Sequence, residues 1–136
     1  MSLRARLRAV WRRIPGTQAY AVRQAERDLD QLGRRIVFNA RRRVPSRTGA
    51  LRNSIGHQVS NDGTRARLRV FATAPHARFV HEGTRPHEIR PRTARALRFQ
   101  VGGRVVFAAR VQHPGTRRNP FLADAVREEM ARRRLR

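Results

Sequence analysis

Cysteine and lysine are both absent from this chain of 136 residues, and acidic residues number only nine. Without cysteine there are no disulfides and no thiolate metal sites, so redox compartment leaves no mark on the sequence. Without lysine, all 32 residues of the Lys+Arg count are arginine, and the formal charge of +23 is permanent at any working pH. A GC-rich coding sequence favours arginine over lysine, but it does not account for so large an excess of base over acid. Aromatic side chains are also scarce, with six Phe, one Trp and one Tyr. Most of them sit at apolar-face positions, which argues against stacking on nucleic acid bases. No segment approaches the roughly 18 consecutive apolar residues of a membrane span. From Met1 to Arg13 an arginine recurs every second or third position, too often for the apolar core of a secretory signal. The expectation is a soluble protein made and used in the cytoplasm, or in a particle assembled there, with no membrane partner.

A chain of this length supports one hydrophobic core. The expected organisation is a basic amphipathic extension over 1–16 and a single α+β domain over 17–136. A charge this large repels other copies unless counter-charge is supplied, so a polyanionic partner is expected, the candidates by charge alone being nucleic acid, an acidic protein surface or an anionic membrane. Arginine suits the first two, because its planar fork makes bidentate contacts with carboxylates and phosphates.

In the extension, Leu3, Leu7, Val10, Trp11 and Ile14 recur at helical spacing and predict a short basic helix ending at Pro15-Gly16, with Leu7, Trp11 and Ile14 as its docking residues. Thr17 is a plausible N-cap for a long helix, where Val22, Ala25, Leu29, Leu32, Ile36 and Ala40 form an apolar stripe running to about Arg43. Ile55 to Ser60 and Arg65 to Thr73 read as two strands joined by Asn61-Asp62-Gly63-Thr64, and Ala66, Leu68, Val70 and Ala72 alternate toward one face. Pro75 to Glu82 predicts a helical turn that delivers Phe79 and Val80 inward, followed by an arginine- and proline-rich loop from Gly83 to about Thr93. Leu97 to Val101 and Arg104 to Val111 make a second hairpin around Gly102-Gly103, and Asn119-Pro120 opens a final helix to about Arg134. The fold class is therefore α+β: an antiparallel sheet of about four strands, packed by a long N-terminal and a C-terminal helix, with the short basic helix in front.

Three Gly-Thr or Thr-Gly elements punctuate these units: Ser46-Arg47-Thr48-Gly49, His81-Glu82-Gly83-Thr84-Arg85 and His113-Pro114-Gly115-Thr116-Arg117. Each is a tight polar connector beside a buriable apolar residue, the form in which a small domain exposes shaped loops. The contact residues expected from these loops are Arg47, Thr48, Arg52, Glu82, Thr84, Arg85, His87, Arg90, Arg92, His113, Thr116, Arg117 and Arg118. A catalytic or cofactor site is not expected. His81-Glu82 resembles the start of a zinc-protease helix motif, but the next histidine, His87, is six residues on and lies across Gly83 and Pro86. Ser54 and Thr48 lie in no nucleophile elbow, and Gly102-Gly103 lacks the lysine of a phosphate-binding loop.

Four pieces in series resemble the neck or tail-completion proteins of long-tailed bacteriophages, the head-to-tail connector or minor tail components. They are Val44-Pro45 with Thr48 to Ile55, Ala77 to Thr84, Ala96 to Phe99, and His113 to Thr116 with Asn119 to Leu122. The resemblance spans about Arg35 to Glu129. It implies a non-catalytic α+β subunit of a homo-oligomeric ring, six- or twelve-fold, between the portal side of the head and the tail. Its partners would be other neck and tail proteins, with non-specific contact to DNA in the lumen, in a virion assembled in the host cytoplasm. A tail terminator ring and a sequence-neutral DNA-binding protein are the alternative readings.

Overall fold

The computed structural model describes residues 3–9, 18–45, 47 and 49–135. The element order is β1 (Leu3–Ala9), α1 (Gln18–Arg43), α2 (Ala50–Ser54), β2 (Ile55–Asn61), β3 (Ala66–Ala72), α3 (Ala77–Glu82), β4 (His87–Ile89), β5 (Leu97–Val101), β6 (Arg104–Ala108), β7 (Val111–His113) and α4 (Phe121–Arg134). The fold is α+β, with long helices near both ends and small antiparallel sheets between them.

Helix α1 organises the core. Its stripe at Val22, Ala25, Leu29, Leu32, Ile36 and Ala40 is buried as the spacing predicts, joined by Gly33 and Val37. It packs on β2, β3 and α4. On the sheet side Ala66, Leu68, Val70 and Ala72 are all buried, while Arg67 is exposed and Arg69 and Phe71 are half-buried. The turn between these strands is built by its side chains. Asp62 accepts from the amides of Thr64 and Arg65 at 3.0 and 2.8 Å and from the Thr64 hydroxyl at 2.8 Å, which holds its carboxyl down to about 2. Helix α4 adds Phe121, Leu122 and Ala125 to the same cluster. Polar bonds pin α4 to the C-terminal end of α1: Asn119 Nδ2 donates to the Arg43 carbonyl at 2.9 Å, Arg43 bonds Glu128, and Arg35 lies 3.5 Å from buried Glu129.

Four expectations are corrected. Residues 3–9 are a strand, not part of a basic helix, and pair antiparallel with β3 in the register Leu3↔Ala72 and Leu7↔Leu68. The segment Leu3-Arg4-Ala5-Arg6-Leu7-Arg8-Ala9 alternates with period two as well as carrying helical spacing. The open edge of β3 decides between the two, since pairing satisfies a whole row of backbone groups whereas a lone short helix is marginal in water. Trp11, Ile14, the Thr17 cap and the Pro15-Gly16 stop lie outside the described residues, as do Ser46 and Thr48. Second, there is no single four-stranded sheet. The order β1-β3-β2 forms one three-stranded sheet, and β4-β7 and β5-β6 are separate two-stranded ribbons. With β1 on one edge of β3 and β2 on the other, β3 has no edge left for the second hairpin. Third, Phe79 points outward and is 59% exposed, whereas Val80 packs partly against the core. Fourth, Asn119 does not cap α4, because its side chain is committed to Arg43.

The closest approach of α1 to the sheet is at Gly33, where a Cβ would lie 2.4 Å from His57 Cδ2 and 2.9 Å from a Leu68 methyl. The His57 ring cannot swing aside freely, since its Nε2 bonds Asp30 at 2.8 Å. Gly33→Ala gains up to about 1 kcal/mol of helix propensity but overpacks at a cost of about 1–3 kcal/mol. Net destabilisation is therefore expected in urea unfolding. His57→Ala in the same chain should recover part of it, and fully additive losses in a double-mutant cycle would show that the contact is not the cause.

Candidate interaction site

Two of the three Gly-Thr elements meet. Thr84 and Thr116 form an antiparallel bridge, with Thr84 N donating to the Thr116 carbonyl at 3.0 Å and Thr116 N to the Thr84 carbonyl at 3.1 Å. Thr116 N also reaches Thr84 Oγ1 at 2.9 Å, and Asn119 N donates to the Val80 carbonyl at 3.0 Å. The ladder continues outward through His87↔His113 and Ile89↔Val111, and beyond it Leu97↔Ala108 to Val101↔Arg104 close the hairpin tip. Residues 84–116 are thus one nested arm, rooted at the two threonines.

Glycine is required at the root for two reasons. Gly83 and Gly115 have φ of 75° and 88°, in the left-handed region that side chains disfavour. A Cβ on Gly83 would lie 2.7 Å from the Thr116 carbonyl oxygen, and one on Gly115 2.4 Å from that of Thr84. Both obstacles are backbone, so neither can rotate away. Above the root, the rings of His87 and His113 stack with centroids 5.0 Å apart and planes 28° from parallel. His113 Nδ1 accepts from Gly115 N at 3.0 Å, and His87 Nδ1 lies 2.8 Å from the Arg85 carbonyl. The first is therefore protonated on Nε2 and the second on Nδ1. Below the root, His81 sits edge-on to Phe121 with centroids 5.4 Å apart. Burial, ahead of the neighbouring Arg118 charge, holds its imidazole below the ordinary 6.5.

The expected contact residues fall into two groups. Glu82, Thr84, Arg85, His87, His113, Thr116, Arg117 and Arg118 come together at this root, with Arg90 and Arg92 farther along the arm. Arg47 and Arg52 are exposed on the connector and on α2. Arg47 borders a cleft of about 320 Å³ that it shares with Pro45, Gly49, Leu51, His76 and Val80, so the first element adjoins α3. The N-terminal docking residue Leu7 is in β1. Missing from the expected set were the arm's tip residues Val101, Val105, Val106 and Phe107, all exposed. The signal for the pairing was present in the sequence: His-X-Gly-Thr-Arg occurs at both 81–85 and 113–117. Among the described residues no group of three or more His, Asp or Glu side chains could hold a metal, and no helix is long and apolar enough to cross a membrane.

Residues 17–83 match the family described as "Bacteriophage HK97-gp10, putative tail-component". That stretch is similar to HK97-gp10-like tail components. The match runs from the start of α1 to Gly83 and so covers α1, α2, β2, β3 and α3, the scaffold below the arm. Of the four pieces that suggested a phage tail or neck component, the first lies within the HK97-gp10-like stretch and the second lies within it up to Gly83. Those at Ala96 to Phe99 and His113 to Leu122 lie beyond it. No curated protein and no solved structure matches the chain.

Gly115→Ala should unlatch the arm without unfolding the core. Amide exchange is expected to accelerate at Thr84 and Thr116 while α1, β2 and β3 stay protected, and unchanged protection at the two threonines would refute the latch. A depressed histidine pKa means that the unfolded chain takes up a proton at higher pH than the folded one. The His81 contribution to stability is therefore complete above 6.5 and is lost as pH falls from there through the lower folded pKa. His81→Gln should flatten the urea midpoint across this window, and an equally steep profile in the variant would assign the dependence elsewhere.

Proposed function

We propose that this protein is a non-catalytic structural component of a phage particle, acting at the head–tail junction as one subunit of a ring. The observation that carries the reading is the match of residues 17–83 to the HK97-gp10-like tail-component family. The form of the molecule is consistent with it. A rigid helix-on-sheet scaffold holds a latched arm away from the core, and a closed ring needs each copy to present two different patches to its neighbours. The cleft beside Arg47 and the root of the arm around Thr84 and Thr116 are two such patches. The contact loops would be Arg47, Thr48, Arg52, Glu82 to His87, Arg90, Arg92 and His113 to Arg118, with Leu7, Trp11 and Ile14 docking the N-terminal extension. Such a ring meets other neck, portal-side and tail proteins, and its arginines would lie near the DNA that threads the lumen.

Cryo-electron microscopy of intact particles, with symmetry left free at the head–tail junction, tests this directly. A ring of this subunit between head and tail is expected, and its absence from particles would overturn the role. Replacing Arg85, Arg90 and Arg92 together by Glu should prevent heads from joining tails. Normal joining by that variant would exclude the arm's arginines from the contact.

A further inference from the structure

Every one of the nine carboxylates of this chain is already engaged within it. Glu26 bonds Asn61, Asp28 bonds Gln24 and Asp30 bonds His57 and Arg34. Asp62 holds its own turn and Arg67, Glu82 bonds Arg78, and Glu88 bonds Arg90 and Gln112. On α4, Asp124 bonds Arg127, Glu128 bonds Arg43 and Arg132, and Glu129 pairs with Arg35 and Arg132. The segment from Arg85 to Arg118 carries nine arginines against the single Glu88. Seven of the nine pair with arginine and the other two, Glu26 and Asp28, bond neutral amides, so at a net charge of +23 one copy offers the tip of another's arm little acidic surface, and tip against tip is repulsive.

The tip of the arm is also apolar. Cross-strand partners share a face, so Leu97, Phe99, Val101, Arg104, Val106 and Ala108 line one side of the β5-β6 ribbon, and Val105 and Phe107 stand beside Arg98 and Gln100 on the other. The first side is half-buried at Leu97, Phe99 and Ala108, while the second is open, with Phe107 66% exposed and Val105 43%. A bare two-stranded ribbon is marginal in water, so these side chains need a surface. Exposed Phe and Val set among unpaired arginines have the composition of a protein-interface centre rather than of a phosphate-binding strip, which is polar throughout.

We propose that the β5-β6 tip docks on a protein other than this one, on a surface with an apolar centre ringed by carboxylates, where Val105 and Phe107 are buried and Arg98 on the same face pairs with the acids. The proposal deepens the joining role by naming the chemistry of the partner, and it rests on that reading for its setting in a particle.

The full chain can be tested with three probes: poly-glutamate, a random glutamate–tyrosine copolymer, and duplex DNA. At about 0.3 M salt, where exposed ion pairs are weakened, the copolymer should bind about tenfold tighter than poly-glutamate. The double variant Val105→Ser with Phe107→Ser should lose that margin and leave poly-glutamate and DNA binding unchanged, while Arg98→Glu should weaken both acidic polymers. Circular dichroism and unchanged amide protection at Thr84 and Thr116 would show that these exposed substitutions leave the fold and latch in place. The proposal is overturned if the copolymer shows no margin, if the margin survives the serine variant, or if DNA binds more tightly than the copolymer. It is also overturned if self-association of the wild-type chain is abolished by the serine variant, which would make a second copy the occupant. None of these outcomes depends on whether the chain lies at a head–tail junction, so failure here and failure of the ring in particles are separate results.

Discussion

The contact between α1 and the face of β2 and β3 is the constraint on which the rest of the molecule depends. It brings the helix stripe from Val22 to Ala40 against Ala66, Leu68, Val70 and Ala72, and it closes to the limit at Gly33, where nothing larger than hydrogen fits beside His57 and Leu68. A chain with 32 arginines and 39% hydrophobic residues has little apolar material to spend. Close packing of small residues, alanine at 25, 40, 66, 72 and 77 among them, lets a modest core be dense. Helix α4 packs on α1 within the same core, and its ion pairs with Arg35 and Arg43 fasten it there.

That scaffold leaves the arm free of core duties. Its root is held by backbone bonds between Gly83-Thr84 and Gly115-Thr116, and the backbone there is too close for any side chain on either glycine. The latch sits next to buried Phe121 and Val80, so the arm's direction is tied to the core even though its tip touches little of it. A ribbon rooted in this way presents a surface to a partner at small entropic cost, because its base is already ordered. The family match ends at Gly83, where the arm begins. Most of the scaffold thus lies within the HK97-gp10-like stretch, and the arm, with nine arginines against the single Glu88, lies beyond it.

Much of this was legible from the order of residues. The long helix, the β2-β3 hairpin with its Asp62 turn, the β5-β6 hairpin around Gly102-Gly103 and the last helix follow from local periodicity and turn chemistry, and the phage tail resemblance rested on short pieces whose neighbours were correctly placed. Residues 3–9 were not legible as a strand, because Leu3-Arg4-Ala5-Arg6-Leu7 satisfies both a helical and a strand period. A local pattern cannot report that an edge of β3 stands open to receive it. Phe79 failed for a related reason. Its place on a short helix depends on how α3 is rotated against the core that Val80 and Phe121 join, which no spacing within six residues encodes.

By itself the sequence determined the permanent charge, the absence of thiol chemistry, the α+β class and the identity of the glycine-bearing loops, since each depends on composition or on residues close together along the chain. Only the tertiary structure decided that two of those loops latch each other, that the second hairpin stands apart from the main sheet, and that all nine carboxylates are consumed internally. The latch depends on pairing between residues some thirty or more apart, Thr84 with Thr116, and the carboxylates are engaged partly by near neighbours and partly by distant partners such as Arg43 with Glu128. Such pairing is set by which edges and charges remain unsatisfied once the core has closed.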